Sequence, residues 1–486
     1  MHDLDWKPDK NLDEPLYEQI KQFVIRKISC GEWFLGFQLP PQRELALYFG
    51  VNRSTLKTAL EDLTADGILG TRGKSGTYVR NNTWSLFRKP LSPDWLKYIR
   101  SGSLSPNREI TRSIHDHEFS SNLIRLSTGE LSPDYLPRNS TDRVLENLIA
   151  GGYSLGYDHP NGTIELRESL VQYYRRLGVE AKLSQILIVS GALQAIHLIS
   201  VGLFPKGASV SCETPSYLYS LNLFKSSGIN LCGVPCNGEG IDIARLVNIH
   251  KRGSTASHYT IPYFNNPTGH RLSDRKRIEL METYRKLRIP VIEDDTYREL
   301  YYDEERPLPL KASDESQFVI HVGSISKTLC AGLRVGWIIG QEEVIRKLAD
   351  LKMQIDYGTS SLSQLVLDSL LRSGRFEENL SNLRQTLRAK RDLMHEILEG
   401  EFTGFAEWTK PSGGFYIWLR LKNLADIKSV FEYCRCHGVL INPGYMYDPK
   451  NRDAIRLSFS YVSDEEMKHG LSILKDAILS NTPRTL

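Results

Sequence analysis

The chain is 486 residues long, with 61 Lys and Arg against 58 Asp and Glu, a formal net charge of +3. That length exceeds what one hydrophobic core usually supports, so two or more domains are expected. So small a net charge excludes bulk coating of nucleic acid and leaves only local basic surfaces to consider.

No run of about 18 apolar residues occurs, and the opening MHDLDWKPDK lacks the basic-then-apolar pattern of a secretory leader. The seven cysteines have no His, Asp or Glu companions at metal-site spacing. The expectation is a soluble cytoplasmic protein with free thiols, no metal and no membrane segment.

In chain order, PLYEQIKQFVIRKI (15–28) places Leu16, Ile20, Phe23 and Ile28 on one helical face behind Pro15. PQRELALYFG follows, with Leu45 and Phe49 four apart and Gly50 as its stop. VNRSTLKTALEDLTADG then offers Asn52 as a cap and Leu56, Ala59, Leu60 and Leu63 as a buried stripe. Two short helices joined by a Gly-containing turn predict a helix-turn-helix. The outer face of the third helix carries Arg53, Ser54 and Lys57, with Arg43 arriving from the helix before. Short polar and basic side chains near a helix N-terminus are what reach base edges and phosphates. ILGTRGKSGTYVR predicts two short strands joined by RGKSG, a wing with Arg72 and Lys74 at its tip. Residues 1–80 hold eleven basic and eleven acidic side chains, residues 41–80 six and four. Positive surface is therefore local to the third helix and wing, which suits an operator better than indiscriminate DNA binding.

The order PLYEQI, LPPQRELALYFGVNRSTLKTALEDLTADG, GTRGKSGTYV resembles the winged-helix domain of GntR-type bacterial regulators, from Pro15 to Val79. By that resemblance Arg43, Arg53, Thr55 and Lys57 are DNA contacts and Gly76 admits close backbone approach. Asn52 stands where a serine is common.

Residues 81–118 show weak periodicity, Pro90 and Pro93, and the turn-forming SGSLSPNRE, so a linker is expected. Trp84, Phe87, Trp95 and Tyr98 indicate that part of it packs. From residue 119 to 486 the pattern changes. ILIVSG, ASVSCE, HYTIPYF, IPVIEDD, FVIHVG and VGWIIG are short β-rich runs separated by helix-like stretches. They predict an α/β domain with a mostly parallel central sheet covered on both faces and ligands at the carboxyl ends of its strands.

SISKTLCAGLRVGW places Lys327 beside Ser324 and Ser326, with Arg334 seven residues on. A lysine can hold an aldehyde cofactor as a Schiff base, and hydroxyls with a guanidinium suit its phosphate. A lysine in a serine-rich turn is common, and it gains weight from its company. Asp294 ends VIED, where a carboxylate could keep a pyridine nitrogen protonated. Tyr297 and Asn266, the latter in FNNPTG, could donate to a phenolate oxygen, and Tyr217 in ETPSYLYS offers a flat face for a ring. SGALQA joins a strand to a helix whose first amides, at Ala192 and Leu193, could meet phosphate. PSGGFYIWL predicts a strand of a smaller lobe near the substrate mouth, its glycines admitting close backbone approach.

Residues 120–480 thus resemble class I and II aminotransferases of pyridoxal 5'-phosphate (PLP) fold type I. The resemblance implies Lys327 as Schiff-base lysine, Asp294 as partner of the ring nitrogen, and Asn266 and Tyr297 as partners of the phenolate oxygen. It implies Ser324, Ser326, Arg334, Ala192 and Leu193 as phosphate ligands, Tyr217 as stacking ring, and Arg456, in AIRLSFSYVS, as the grip on a substrate carboxylate. Tyr157 matches a tyrosine that reaches the neighbouring subunit's cofactor phosphate, which implies a homodimer. It further implies a large lobe at about 150–370 and a small lobe from 119–149 and 371–486. A GntR-type winged helix fused to such a domain is the layout of the MocR subfamily of regulators. There the resemblance implies a PLP or amino-compound sensor acting on operator DNA in a head-to-tail dimer, the alternative being an active aminotransferase with Lys327, Asp294 and Tyr297 as catalytic set.

Overall fold

The computed structural model describes residues 6–12, 14–29, 32–71, 76–81, 109–119, 123–136, 144, 146, 156–237, 240–253, 255–303, 305–422 and 426–481. The chain divides into two compact units, Met1–Ser103 and Leu104–Leu486.

In the first unit, helices α1 (Leu16–Ser29), α2 (Gln42–Phe49) and α3 (Arg53–Ala65) are followed by strands β1 (Leu69–Thr71) and β2 (Thr77–Val79). The apolar stripes converge on one core of Ile20, Phe23, Leu45, Phe49, Leu56, Leu60 and Leu63, extended by Trp6 stacked on Phe23 at 4.7 Å between ring centres. Asn52 caps α3 by accepting the Thr55 amide at 2.8 Å, and Gly50 ends α2 in the left-handed conformation. The wing strands pair antiparallel with Leu69 opposite Val79.

The second unit is built on an eight-stranded sheet: β4 (Ile186–Val189), β5 (Ser209–Thr214), β6 (Asn230–Asn237), β7 (Gly240–Ile241), β8 (Ser257–Thr260), β9 (Val291–Asp294), β10 (Val319–Ser324) and β11 (Gly336–Ile339). Their spatial order is β4-β11-β10-β9-β8-β5-β6-β7. Strands β10, β9, β8, β5 and β6 run parallel, whereas β11 is antiparallel to both neighbours. β4, β8, β9 and β11 are buried along their whole length, because helices cover both faces of the sheet.

A smaller antiparallel sheet, order β12-β13-β16-β15, follows: β12 (Ala406–Glu407), β13 (Tyr416–Leu421), β15 (Asn442–Pro443) and β16 (Ala454–Ser458). Separately, β3 (Ile124–Arg125) and β14 (Val439–Leu440) pair parallel.

The second unit starts earlier than the expected residue 119. Glu109–Glu118 forms a helix, α4, that packs beside β14 and buries Ile114, with Ile110 against the main core. One i, i+4 apolar pair in EITRSIHDHE was enough to dock it, too short a stripe to stand out from the polar tether before it. Trp84, Phe87, Trp95 and Tyr98 lie outside the described residues.

Candidate functional site

The first unit displays its expected DNA-facing residues on open surface. Arg43, Arg53, Ser54 and Lys57 are exposed and Thr55 is half-buried. Ser54 donates to the Asn52 side chain at 2.9 Å, and Lys57 lies 3.5 Å from Glu61, an exposed pair of the kind that contributes little and can be exchanged for a phosphate. Gly76 is exposed at φ +89°, just before β2. Arg72 and Lys74 lie outside the described residues.

In the second unit the loops leaving the parallel strands bring the remaining candidates together. Asp294 is the last residue of β9 and Ser324 the last of β10, while Ser190 and Gly191 follow β4. A cavity of ≈ 290 Å³ at these strand ends is lined by Ala192, Leu193, Tyr217, Asn266, Asp294, Tyr297, Ser324, Ser326, Lys327, Arg334 and Arg456. A larger cavity of ≈ 760 Å³ lies elsewhere on this unit, but its walls mix Glu168 and Glu377 with Arg176 and Lys182 and define no single ligand chemistry.

Lys327 donates from Nζ to the Gly129 carbonyl. Burial, followed by the Arg456 guanidinium, lowers its pKa to about 8, partly opposed by Glu130. Asp294 is buried and its pKa raised for that reason, although Tyr259 donates to Oδ2 at 2.7 Å and Thr296 donates to Oδ1 through both its amide and its hydroxyl. These donors fix the carboxylate's orientation.

A polar chain crosses the cavity. Arg456, on β16, donates to Asn266 Oδ1 at 2.9 Å and to the Ser127 carbonyl. Asn266 donates to the Tyr297 hydroxyl at 3.4 Å, which lies 3.3 Å from the Tyr416 hydroxyl. The Arg456 guanidinium sits over the rings of Tyr416 and Tyr447, 4.2 and 5.0 Å from their centres. Gly413, just ahead of β13, lets the Phe264 ring and the Leu300 carbonyl come close: a Cβ there would lie 2.3 and 2.4 Å from them.

On the opposite side Arg334 donates to Ser326 Oγ at 3.1 Å and to the Ser190 carbonyl at 3.2 Å, and the Ser324 and Ser326 hydroxyls are 3.1 Å apart. Helix α5 (Ala192–Leu203) begins here, with Gly191 at φ +88° as its N-cap and no side chain capping its first amides. The positive φ of Gly191 is one that L side chains rarely adopt, and a Cβ there would lie 2.6 Å from the Arg334 guanidinium and displace it.

These residues fit pyridoxal phosphate. Two hydroxyls, a guanidinium and uncapped amides form an anion cradle at one end. At the other, Arg456 Nε, Ser127 Oγ and Asn442 Oδ1 are buried without hydrogen-bond partners, three polar atoms awaiting a polar guest.

Residues 121–474 match the family model for aminotransferases of class I and II, and residues 16–79 that for bacterial regulatory proteins of the gntR family. The chain belongs to the GntR-type regulators that carry an aminotransferase class I and II domain. The HTH-type transcriptional regulator YdfD of Bacillus subtilis is 43% identical over 458 residues, 94% of this chain and 95% of its own. NorG, an HTH-type transcriptional regulator of Staphylococcus aureus, is 35% identical over 437 residues, 89% of this chain and 98% of its own.

Among solved structures, the multiple substrate aminotransferase of Thermococcus profundus superposes with a TM-score of 0.74 at 26% identity, covering 79% of this chain and 98% of that one. An archaeal alanine:glyoxylate aminotransferase gives 0.74 at 30% identity, covering 80% and 99%. Class I and II aminotransferases are PLP-dependent.

Of the candidates in this regulator's large unit, Tyr157 alone stands outside the cavity. It is 88% exposed, its ring 5.1 Å from that of Tyr357. Sequence reasoning missed Ser127, Gly129, Tyr259, Thr296, Asn442 and Tyr447, and gave Tyr416 no role. Thr296 was legible in principle, because a threonine two residues after an aspartate closes back on it. Asn442 and Tyr447 were not, since only pairing of β15 with β16 sets Asn442 opposite Arg456. Nor did the sequence place Thr111, Ile114, His115 and Glu118 of α4 in the cavity wall.

Proposed function

We propose that the chain is a transcriptional regulator of the MocR layout that binds operator DNA through α3 and the wing and senses PLP and an amino compound in its aminotransferase-like unit. The observation that carries this reading is the convergence of Lys327, Asp294 and Arg456 on one cavity, in a chain whose other unit presents Arg53 and Lys57 on an open helix face. Bound there, pyridoxal phosphate supplies an aldehyde that captures primary amines and a ring that draws electrons from the captured carbon.

The chain's own residues do the rest. Asp294 would hold a proton at the pyridine nitrogen, Asn266 and Tyr297 would donate to the phenolate oxygen, and Tyr217 would offer its face to the ring. Ser324, Ser326, Arg334 and the Ala192 and Leu193 amides would hold its phosphate. Lys327 would hold the aldehyde, and Arg456 would orient the carboxylate of an amino compound.

A head-to-tail homodimer would give two wings for a two-fold operator. The exposure of Tyr157 supports this, since it leaves that ring available to a second subunit. Access to an operator implies a cytoplasmic protein.

One observation favours a second reading, turnover as an aminotransferase. With its pKa near 8, Lys327 is partly a free amine at neutral pH and able to move a proton. Mixing the loaded protein with an amino acid and a keto-acid acceptor separates the two. The regulator reading expects one cofactor per chain and at most one equivalent of amine exchanged. Many equivalents of new amino acid per chain would make the protein an enzyme, and failure to bind PLP at all would overturn both readings.

A further inference from the structure

The cavity holds charged groups that the cofactor and a ligand's α-carboxylate leave unused. Lys327, Arg334, Arg456 and Asp294 are accounted for above. The charge that remains on its wall comes from α4, whose Thr111, Ile114, His115 and Glu118 all line the cavity.

Glu118 is held in place: Oε1 accepts the Thr128 hydroxyl at 2.7 Å, and Oε2 lies 3.6 Å from His115 Nδ1. Its side chain is only 19% exposed, and its charge, with that of Glu130, acts on the Lys327 ammonium. Beside the Arg456 guanidinium, the cavity wall thus carries a fixed carboxylate contributed by α4. The unpartnered Arg456 Nε, Ser127 Oγ and Asn442 Oδ1, each on a side chain at least 96% buried, mark where a ligand's carboxylate end sits.

We propose that α4 reads the far end of the effector, and that Glu118, with His115 and Thr111, selects an amino acid whose side chain ends in an amine over one that ends in a carboxylate. The inference rests on the PLP-sensor reading above and names the chemical class it takes. A distal ammonium donates a charge-assisted hydrogen bond to Glu118, whereas a distal carboxylate meets a like charge, and the only basic side chain that α4 puts on the cavity wall among the described residues is the His115 imidazole. Because α4 opens the second unit directly after the interdomain segment, the element that reads ligand identity is also the one joined to the DNA-binding unit by the shortest chain path.

The test uses the full-length, PLP-loaded protein. L-ornithine, L-norvaline and L-glutamate are titrated calorimetrically at one pH and salt, with the parent and with Glu118→Gln, and melting curves confirm that the variant folds. Ornithine should bind roughly tenfold tighter than norvaline, glutamate weaker than either, and the ornithine preference should fall to within about threefold in the variant. His115→Ala, at a largely exposed position, should shift the preference less than Glu118→Gln. Equal affinities in the parent, a preference for glutamate, or an ornithine preference that survives Glu118→Gln would overturn the proposal while leaving the sensor reading intact. Retained cofactor with no response to any of the three would overturn it together with the effector half of that reading. Failure to take up PLP would instead strike the sensor reading itself.

Discussion

Lys327→Ala should abolish covalent retention of pyridoxal phosphate: after borohydride reduction and proteolysis, the parent is expected to carry the cofactor mass on the peptide containing Lys327 and the variant none. Non-covalent affinity should persist, weakened by at least about tenfold, because the phosphate cradle of Ser324, Ser326 and Arg334 is untouched. The apo variant should melt no lower than the parent, since the change removes an ammonium crowded by Arg456 and Arg334. Cofactor mass on another lysine would contradict the assignment.

The same residue predicts a pH dependence. Its pKa is lowered from 10.5 to about 8, so the free amine that attacks an aldehyde makes up about a tenth of the apo protein at pH 7 and half near pH 8. Capture of PLP should therefore accelerate with pH and level off above about 8, rather than near 10.5 as for an open lysine. Linkage has the matching sign: the unfolded chain holds this proton more tightly, so the apo protein gains stability as pH rises from about 8 to 10.5.

Arg298→Met should be the most damaging single change to stability, costing about 3–5 kcal/mol. Arg298 is 1% exposed and serves two carboxylates, Asp295 at 2.6 Å and Glu299 at 2.7 Å. Around them Tyr173 donates to Glu299 at 2.7 Å, and His321 stands between Glu293 at 2.8 Å and the Tyr174 hydroxyl at 2.8 Å. Among the described residues, removing the guanidinium leaves Asp295 without an Arg or Lys partner, its nearest basic side chain being His321 at 3.7 Å, while Glu299 keeps Arg306 and the Tyr173 hydroxyl. Because Asp295 adjoins Asp294, cofactor affinity should fall as well. A denaturation midpoint that moves by less than the equivalent of about 1 kcal/mol would show that the network does not depend on this residue.

Much of this architecture can be read in the sequence because its local and global signals agree. The strands ILIV and GWII are apolar throughout, as suits strands covered on both faces, and the winged unit declares itself through Asn52, Gly50 and two buried stripes. β6 escaped because NLCGVPCN interrupts its apolar run with Gly233 and Pro235, and it takes its place only by pairing along β5.

The candidate site was legible where one short segment carries several partners, as between Ser324 and Arg334. It was illegible where partners meet across distant chain. Tyr259 reaches Asp294 from the neighbouring strand, Gly129 meets Lys327 across 198 residues, and α4 closes the wall from the end of what looked like linker. The Arg298 cluster was equally hidden, since DDTYREL shows the charges but not their burial.

The central claim is that the cofactor cavity and the operator-binding wings are coupled. It is tested most directly by titrating the full-length protein against a duplex carrying its own upstream region, at fixed salt, in three forms: apo, PLP-loaded and Lys327→Ala with PLP. The account predicts that apo and loaded protein differ several-fold in operator affinity and that the variant loses this difference. Equal, tight and specific binding by all three forms would contradict it.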